Sequence, residues 1–183
     1  MENNFYTINI AGHEEHLPIL PVSDHLSIAF FNLHGNQKLT EICGKELAKL
    51  AKNFDVLITA ESKGLQLCHV MARELGQDFY AVARKSKKLY MQDGLDIVID
   101  STMTTGQEQH LYLSKHDADL LKGKKVGIVD DVVSTGAALS GLEKLVTLSG
   151  GTIEAKLFVL AEGNAAERKD VKYLATIPVF AHD

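Results

Sequence analysis

Val126-Gly127-Ile128-Val129-Asp130-Asp131-Val132-Val133-Ser134-Thr135-Gly136-Ala137-Ala138 is the stretch that decides the fold. It opens on small and branched apolar residues, the composition of a strand buried on both faces of a parallel sheet. Two aspartates sit at the strand's carboxyl end, the edge along which open α/β sheets hold their ligands. Ser134-Thr135-Gly136 then leads into a helix-like run over residues 137–146. Small residues ahead of a helix leave its free N–H groups open to an anion, and the helix dipole favours negative charge there. The hydroxyls of Ser134 and Thr135 add donors. Carboxylates for sugar hydroxyls or a metal thus stand just before a cradle for a phosphate. Taken on spacing alone, the plainer alternative is a buried strand, a capped helix and two solvated aspartates.

Outward from this stretch, strands and helices alternate. Residues 5–10 alternate in polarity and read as a strand. Leu17-Pro18-Ile19-Leu20-Pro21-Val22 is apolar, but its two prolines argue against a central strand and for an extended edge segment. Residues 38–52 carry apolar residues at steps of three and four, a helix with one buried face. Val56-Leu57-Ile58-Thr59-Ala60 is a buried strand, residues 65–75 a helix that stops at Gly76, and Phe79-Tyr80-Ala81-Val82-Ala83 the next strand. About forty residues separate that strand from Val126, too many for a plain loop. Residues 95–100 and 109–113 alternate within them, which predicts a two-stranded arm over 95–114 with a polar, mobile tip at Thr104-Thr105-Gly106-Gln107. A strand over 153–160, a polar stretch over 162–170 and an apolar segment over 173–180 complete the chain. The expected architecture is one α/β domain over residues 1–183: a mostly parallel central sheet with helices on both faces, an N-terminal hood over 1–37, and the flexible arm.

The chain has 183 residues and a net charge of −5, with basic residues clustered only at 84–88 and 122–125. That balance argues against nucleic acid as the main partner, because such binding rests on broad Lys and Arg surfaces. No apolar run approaches the ~20 residues that span a bilayer. The opening Met1-Glu2-Asn3-Asn4 is polar and begins no signal peptide, so a cytoplasmic protein with no membrane partner is expected. Cys43 and Cys68 fall in helix-like segments and read as buried free thiols. His13 and His16 have the spacing of metal ligands, but no further ligand lies near them in sequence. No G-x-G-x-x-G follows a strand, which argues against a dinucleotide-binding domain.

Three strand ends converge on one crevice in this reading. Glu61-Ser62-Lys63-Gly64 offers a turn with backbone N–H groups and a cation. Arg84-Lys85-Ser86-Lys87-Lys88 offers up to four positive charges. Asp130 to Ala138 offers carboxylates and the phosphate cradle. A ligand with a diphosphate at one end, a ribose in the middle and a phosphate at the other would use all three.

These three stretches, in this order, resemble the type I phosphoribosyltransferases, closest to the adenine and xanthine branch and over roughly residues 56–160. The Asp130-to-Gly136 segment resembles the loop on which that family binds 5-phosphoribosyl 1-diphosphate (PRPP). Glu61-Ser62-Lys63-Gly64 stands where purine enzymes carry an Ala/Ser-Arg-Gly turn, with Lys63 keeping the charge but not the guanidinium fork. Ala83-Arg84-Lys85-Ser86-Lys87-Lys88-Leu89 is similar to their Arg-Lys…Lys-Leu run. The resemblance implies transfer of the phosphoribosyl group from PRPP to a purine, with Mg²⁺ as cofactor and a homodimer as the assembly. Asp130 and Asp131 would be the catalytic pair, holding the ribose hydroxyls and, through water, Mg²⁺. Ser134, Thr135, Gly136, Ala137 and Ala138 would hold the 5′-phosphate. Glu61, Ser62, Lys63, Gly64, Arg84, Lys85 and Lys88 would surround the diphosphate. Phe31, Val132 and Val133 would lie beside the base, with Leu26, Ile28 and Phe30 as further wall residues or simple core.

The chain departs from the family at two places. Gly and Thr are common where Ala137 and Ala138 stand, so Ala138 supplies no hydroxyl to the phosphate. Adenine enzymes carry Glu-Tyr-Gly where this arm has Thr104-Thr105-Gly106, and threonine cannot act as a carboxylate acid or base. Adenine leads xanthine, hypoxanthine and guanine as the expected base. A non-catalytic PRPP- or nucleotide-sensing regulator on the same fold is the alternative from another functional class.

Overall fold

A computed structural model of the chain describes residues 4–51, 53–101 and 108–182. Its centre is a five-stranded, wholly parallel sheet. In chain order the strands are β4 (Val56–Ala60), β5 (Ala81–Ala83), β8 (Lys125–Val133), β9 (Thr152–Glu162) and β10 (Lys172–Ile177). Their spatial order is β10-β9-β8-β4-β5. All of β4 is buried, and β8 is buried from Val126 to Val129, so both faces of the sheet are covered. On one face lie α1 (Gln37–Leu50) and α2 (Gly64–Glu74), which pack Leu39, Cys43, Leu47, Leu67 and Met71 against Leu57, Val129 and Leu157. On the other face lie α3 (Lys115–Leu121) and α4 (Ala137–Leu148), with Leu121, Leu142, Leu145 and Val146 against Ile58, Val126 and Ile128. Successive strand residues feed opposite cores, as a period of two requires.

The hood is a four-stranded antiparallel sheet of β1 (Phe5–Ile10), β2 (His13–Ser23), β3 (Leu26–Ala29) and β11 (Val179–Ala181). The Leu17–Val22 segment is not an edge. It lies within β2, which pairs with β1 on one side and β3 on the other. The prolines fit because of where each backbone nitrogen points. The Ile19 N–H donates to Asn4 O, so odd-numbered residues here face β1, and β1 pairs no further than Pro18. Pro21 therefore faces past the end of β1, next to a register shift that relaxes the ladder. Pro18 faces β3 at its last rung, where its carbonyl still accepts from Phe30 N–H. The apolar segment over 173–180 is in fact two strands divided at Pro178: β10 extends the parallel sheet and β11 closes the hood.

The arm is β6 (Leu95–Ser101) paired with β7 (Glu108–Leu113). Its base is docked. Ile97, Ile99, Leu111 and Leu113 join the core beside α4, and Tyr112 bridges backbone to backbone with Arg84 at the end of β5. The expected tip, Thr104-Thr105-Gly106-Gln107, lies outside the described residues. Helix α3 has no counterpart in the sequence reading, and β5 is shorter than the five-residue strand expected there. Cys43 and Cys68 are free and buried; burial pushes the Cys43 thiol up to about 12 and raises that of Cys68 as well. Among the described residues no cluster of three His, Cys, Asp or Glu could hold a metal, and His13 and His16 bond instead to Glu15 and Thr7. No described helix is long and apolar enough to cross a membrane.

Candidate active site

Parallel strands place their carboxyl ends along one edge of the sheet, and the order β8-β4-β5 makes neighbours of the three stretches singled out in the sequence. Contacts between them are direct. Lys63 Nζ, at the start of α2, lies 3.2 Å from Asp131 Oδ2 at the end of β8. Arg84 Nε, at the end of β5, donates to Glu61 Oε2 at the end of β4 over 2.6 Å. The Lys85 N–H donates to the second Glu61 oxygen over 2.7 Å. Gly64 is buried because its backbone closes on β8. A Cβ there would strike Thr59 Oγ1 and stand 3.0 Å from Asp130 Oδ1.

The two aspartates differ in environment. Asp131 is 5% exposed. Its Oδ2 has Lys63 as an ion-pair partner but, among the described residues, no aligned hydrogen bond. Asp130 Oδ1 accepts from the Asp131 N–H over 2.8 Å, beneath the first turn of α2. Burial of Asp130, then repulsion from Asp131, pushes its carboxyl up to about 7, against an ordinary 3.8. Low dielectric disfavours the charged form, and a like charge alongside adds to that cost.

Beyond Asp131 the chain turns through Ser134 and Thr135, both exposed, to Gly136 at the head of α4. Gly136 has φ +86°, a left-handed conformation that glycine takes without strain. Residues 132–139, with Asp130 and Phe158, line a cavity of about 160 Å³. A second cavity of about 410 Å³ is bounded by Glu61, Arg84, Tyr90 and Asp117, on the side of the basic run. Lys85 is exposed and Lys88 half-buried.

Comparison with known proteins decides the family at this point. The phosphoribosyl transferase domain profile matches residues 32–181. The chain belongs to the phosphoribosyl transferase domain family. An adenine phosphoribosyltransferase of a Thermotoga species is 33% identical over 128 residues, covering 67% of this chain and 71% of the relative. A xanthine phosphoribosyltransferase of Bacillus mycoides is 34% identical over 127 residues, covering 68% of this chain and 63% of the relative. Among solved structures, the adenine phosphoribosyltransferase of Rhodothermus marinus superposes with a TM-score of 0.67 at 20% identity, covering 87% of this chain and 93% of that one. That likeness establishes the type I phosphoribosyltransferase fold.

Within this phosphoribosyltransferase domain, the segments expected to share a site do share one edge. Three of the expected site residues have packing or partners that the sequence alone does not show. Phe31 is 3% exposed and its ring packs in the core; its carbonyl lies 3.5 Å from Lys63 Nζ. The neighbouring Phe30 is the exposed aromatic, with Lys63 Nζ 5.5 Å from its ring centre. The Val133 side chain is likewise buried, in the core under α4, while Val132 is half-buried, and both border the turn cavity. Both Glu61 oxygens accept hydrogen bonds, one from Arg84 Nε and one from the Lys85 N–H. Arg168, which the sequence alone does not single out, also stands beside the turn. It follows the 3₁₀ turn Gly163–Glu167, and its Nη1 lies 2.9 Å from where a Cβ on Gly136 would be. No local pattern marks it, because the chain returns to the loop only after β9.

Proposed function

We propose that this protein transfers the 5-phosphoribosyl group of PRPP to a purine, adenine first among the candidates, giving a nucleoside monophosphate and diphosphate. The observation that carries this reading is the meeting of Asp130-Asp131, the Ser134–Ala138 turn and the Lys63, Arg84 and Lys85 cations on one sheet edge. In the reaction the bond from ribose C1 to the diphosphate oxygen breaks, and the diphosphate leaves with the electron pair. A purine nitrogen forms the new bond to C1 and its proton passes to solvent. An oxocarbenium-like centre needs a neutralised leaving group and a positioned nucleophile more than it needs a covalent catalyst.

The ion pairs suggest how the chain prepares for that. Lys63 is held by Asp131 and Arg84 by Glu61 before substrate arrives. Ribose hydroxyls donating to Asp131 would free Lys63 to turn to the diphosphate. Glu61 would keep Arg84 aimed. The turn N–H groups and the Ser134 and Thr135 hydroxyls would hold the 5′-phosphate, which does not react and therefore anchors the substrate.

Mg²⁺ suits the same residues. Among the described residues Asp131 Oδ2 has no aligned hydrogen bond, and no three-ligand cage is built. Magnesium is commonly held by one or two carboxylates and completed by substrate oxygens and water. Asp130 and Asp131 would hold it, and it would supply charge neutralisation to the diphosphate. A homodimer and a cytoplasmic setting belong to the same reading.

Ala138 is the observation that favours the second reading, a PRPP-sensing regulator, because it takes one hydroxyl from the phosphate turn. Measuring PRPP consumption with adenine, xanthine, hypoxanthine and guanine separates the two. Transfer to at least one base is expected, with Asp131→Asn lowering kcat at least ~10²-fold in a folded protein, the scale of losing a charged transition-state contact. Tight PRPP binding without consumption by any of the four would leave the sensor.

A further inference from the structure

We propose that Arg168 is a side-chain cation of the 5′-phosphate site, aimed at the phosphate turn by an ionic chain of Asp170, Lys156 and Glu143. The inference rests on reading Ser134–Ala138 as the phosphate cradle and extends it to a residue outside that loop.

Three features carry it. The guanidinium is fixed, not merely near. Asp170 Oδ1 accepts from Arg168 Nε over 2.9 Å and Oδ2 from Nη2 over 2.7 Å. That fork takes two of the three guanidinium nitrogens and turns the third, Nη1, toward Gly136. Asp170 is itself held. Lys156 Nζ, on β9, donates to Asp170 Oδ2 over 2.7 Å and also pairs with Glu143 on α4. The Lys156 side chain is 16% exposed, so this link is shielded from solvent more than a surface pair. The two cations hold the Asp170 carboxyl below its ordinary range.

The second feature is electrostatic. The head of α4 presents unpaired N–H groups and the positive end of a helix dipole. A guanidinium beside it places like charge against like, which is unfavourable unless an anion lies between or beside them. Asp170 offsets the guanidinium but does not cap the helix; Gly136, with no side-chain cap, occupies that position. A bound phosphate would meet both donors at once.

The third feature is the sequence itself. Ala138 contributes no hydroxyl to the turn. A planar guanidinium carrying a full charge is a stronger phosphate donor than the hydroxyl it would offset. The Arg168–Asp170 fork sets the direction of Nη1, and a purely structural pair would leave phosphate affinity unchanged when Arg168 is replaced.

The test uses the full chain and three ligands: ribose 5-phosphate, Mg²⁺-diphosphate and PRPP. Calorimetry should give a Kd for ribose 5-phosphate about tenfold weaker in Arg168→Gln, the scale for one partly exposed charge-assisted bond. The Kd for Mg²⁺-diphosphate should not change, because that subsite lies across the ribose. In turnover the KM for PRPP should rise with kcat nearly kept, as expected when a non-reacting group loses binding. Lys169→Gln removes a neighbouring exposed charge and should change none of these. Asp170→Asn should weaken ribose 5-phosphate less than Arg168→Gln does, and the double variant should be no weaker than Arg168→Gln alone, since Asp170 acts through Arg168. Equal binding by Arg168→Gln and the parent, or equal losses in Arg168→Gln and Lys169→Gln, would overturn the proposal while leaving the phosphate cradle standing. A parent protein that binds Mg²⁺-diphosphate but not ribose 5-phosphate would remove the cradle, and the proposal with it. Thermal melting of each variant identifies any that fail to fold, and Arg168→Lys, which keeps the charge without the fork, should then recover part of the affinity.

Discussion

Asp130 and Asp131 are neighbours in sequence with opposite partners, and the difference is measurable without substrate. Asp131 has a cation; Asp130 has a peptide N–H, a buried setting and a like charge beside it. An acid whose folded pKa lies near 7, above an unfolded value of 3.8, destabilises the fold only once it must ionise. Below the unfolded value both states are protonated and there is no penalty. As pH rises from about 4 through 7 the unfolded state ionises first, and stability falls. In Mg²⁺-free buffer, Asp130→Asn should therefore unfold at higher urea than the parent at pH 8, by of the order of 1–3 kcal/mol, and match it near pH 4. Equal midpoints at both pH values would show that Asp130 ionises freely in the folded chain. At this scale the sequence was legible where chemistry is local. The acid pair, the turn and Lys63 announce themselves within a few residues. Phe30 and Phe31 did not, because which of two adjacent aromatics faces the core depends on how β3 leaves its sheet. Arg168 did not, because its place depends on tertiary return.

At the scale of elements, α4 serves two neighbours. Its first turn heads the proposed phosphate cradle, and Gly141, one turn later, receives the arm. A Cβ at Gly141 would strike Ile99 Cγ2 and approach Leu111 Cδ1 to 2.9 Å, one contact on each arm strand. Gly141→Val should overpack this seam and cost about 1–3 kcal/mol. Hydrogen exchange should localise the effect: amides of 95–99 and 108–113 should lose protection more than those of β8. Uniform loss, or none, would mean that the arm is not anchored here. Parallel strands β4, β8 and β9 were legible as continuous apolar runs, since burial on both faces leaves no other composition. Strand β2 was misread because proline is costly only where its nitrogen faces a ladder, and that direction follows from register rather than composition. Helix α3 spans Lys115–Leu121, too short for a periodic apolar stripe; its Ser114 cap, accepting from Asp117 N–H, was the available signal.

At the scale of the whole molecule, the exposed apolar surface is uneven. Leu89 is 90% exposed, Tyr90 67% and Phe79 61%, and all three flank β5, the edge strand of the parallel sheet. An edge strand of three residues leaves little backbone to pair, so side chains must supply any contact made there. An apolar cavity of about 480 Å³ between α1, α2 and Tyr80 opens on the α1–α2 face of the same region. A second copy related by a twofold axis would cover the patch with its own equivalent, the commonest closed assembly. The patch also touches the site, since Tyr90 Oη accepts from Arg84 Nη1 over 3.1 Å while Glu61 holds Nε of the same guanidinium. Assembly and diphosphate binding should therefore respond together. Light scattering should report a dimer for the parent chain. Leu89→Glu, which places a charge at the most exposed large apolar side chain among the described residues, should shift it toward monomer and raise the KM for PRPP several-fold, with the melting temperature of the monomer nearly kept. A parent chain that is monomeric and fully active, or a Leu89→Glu monomer with an unchanged KM, would separate this surface from the chemistry beside it.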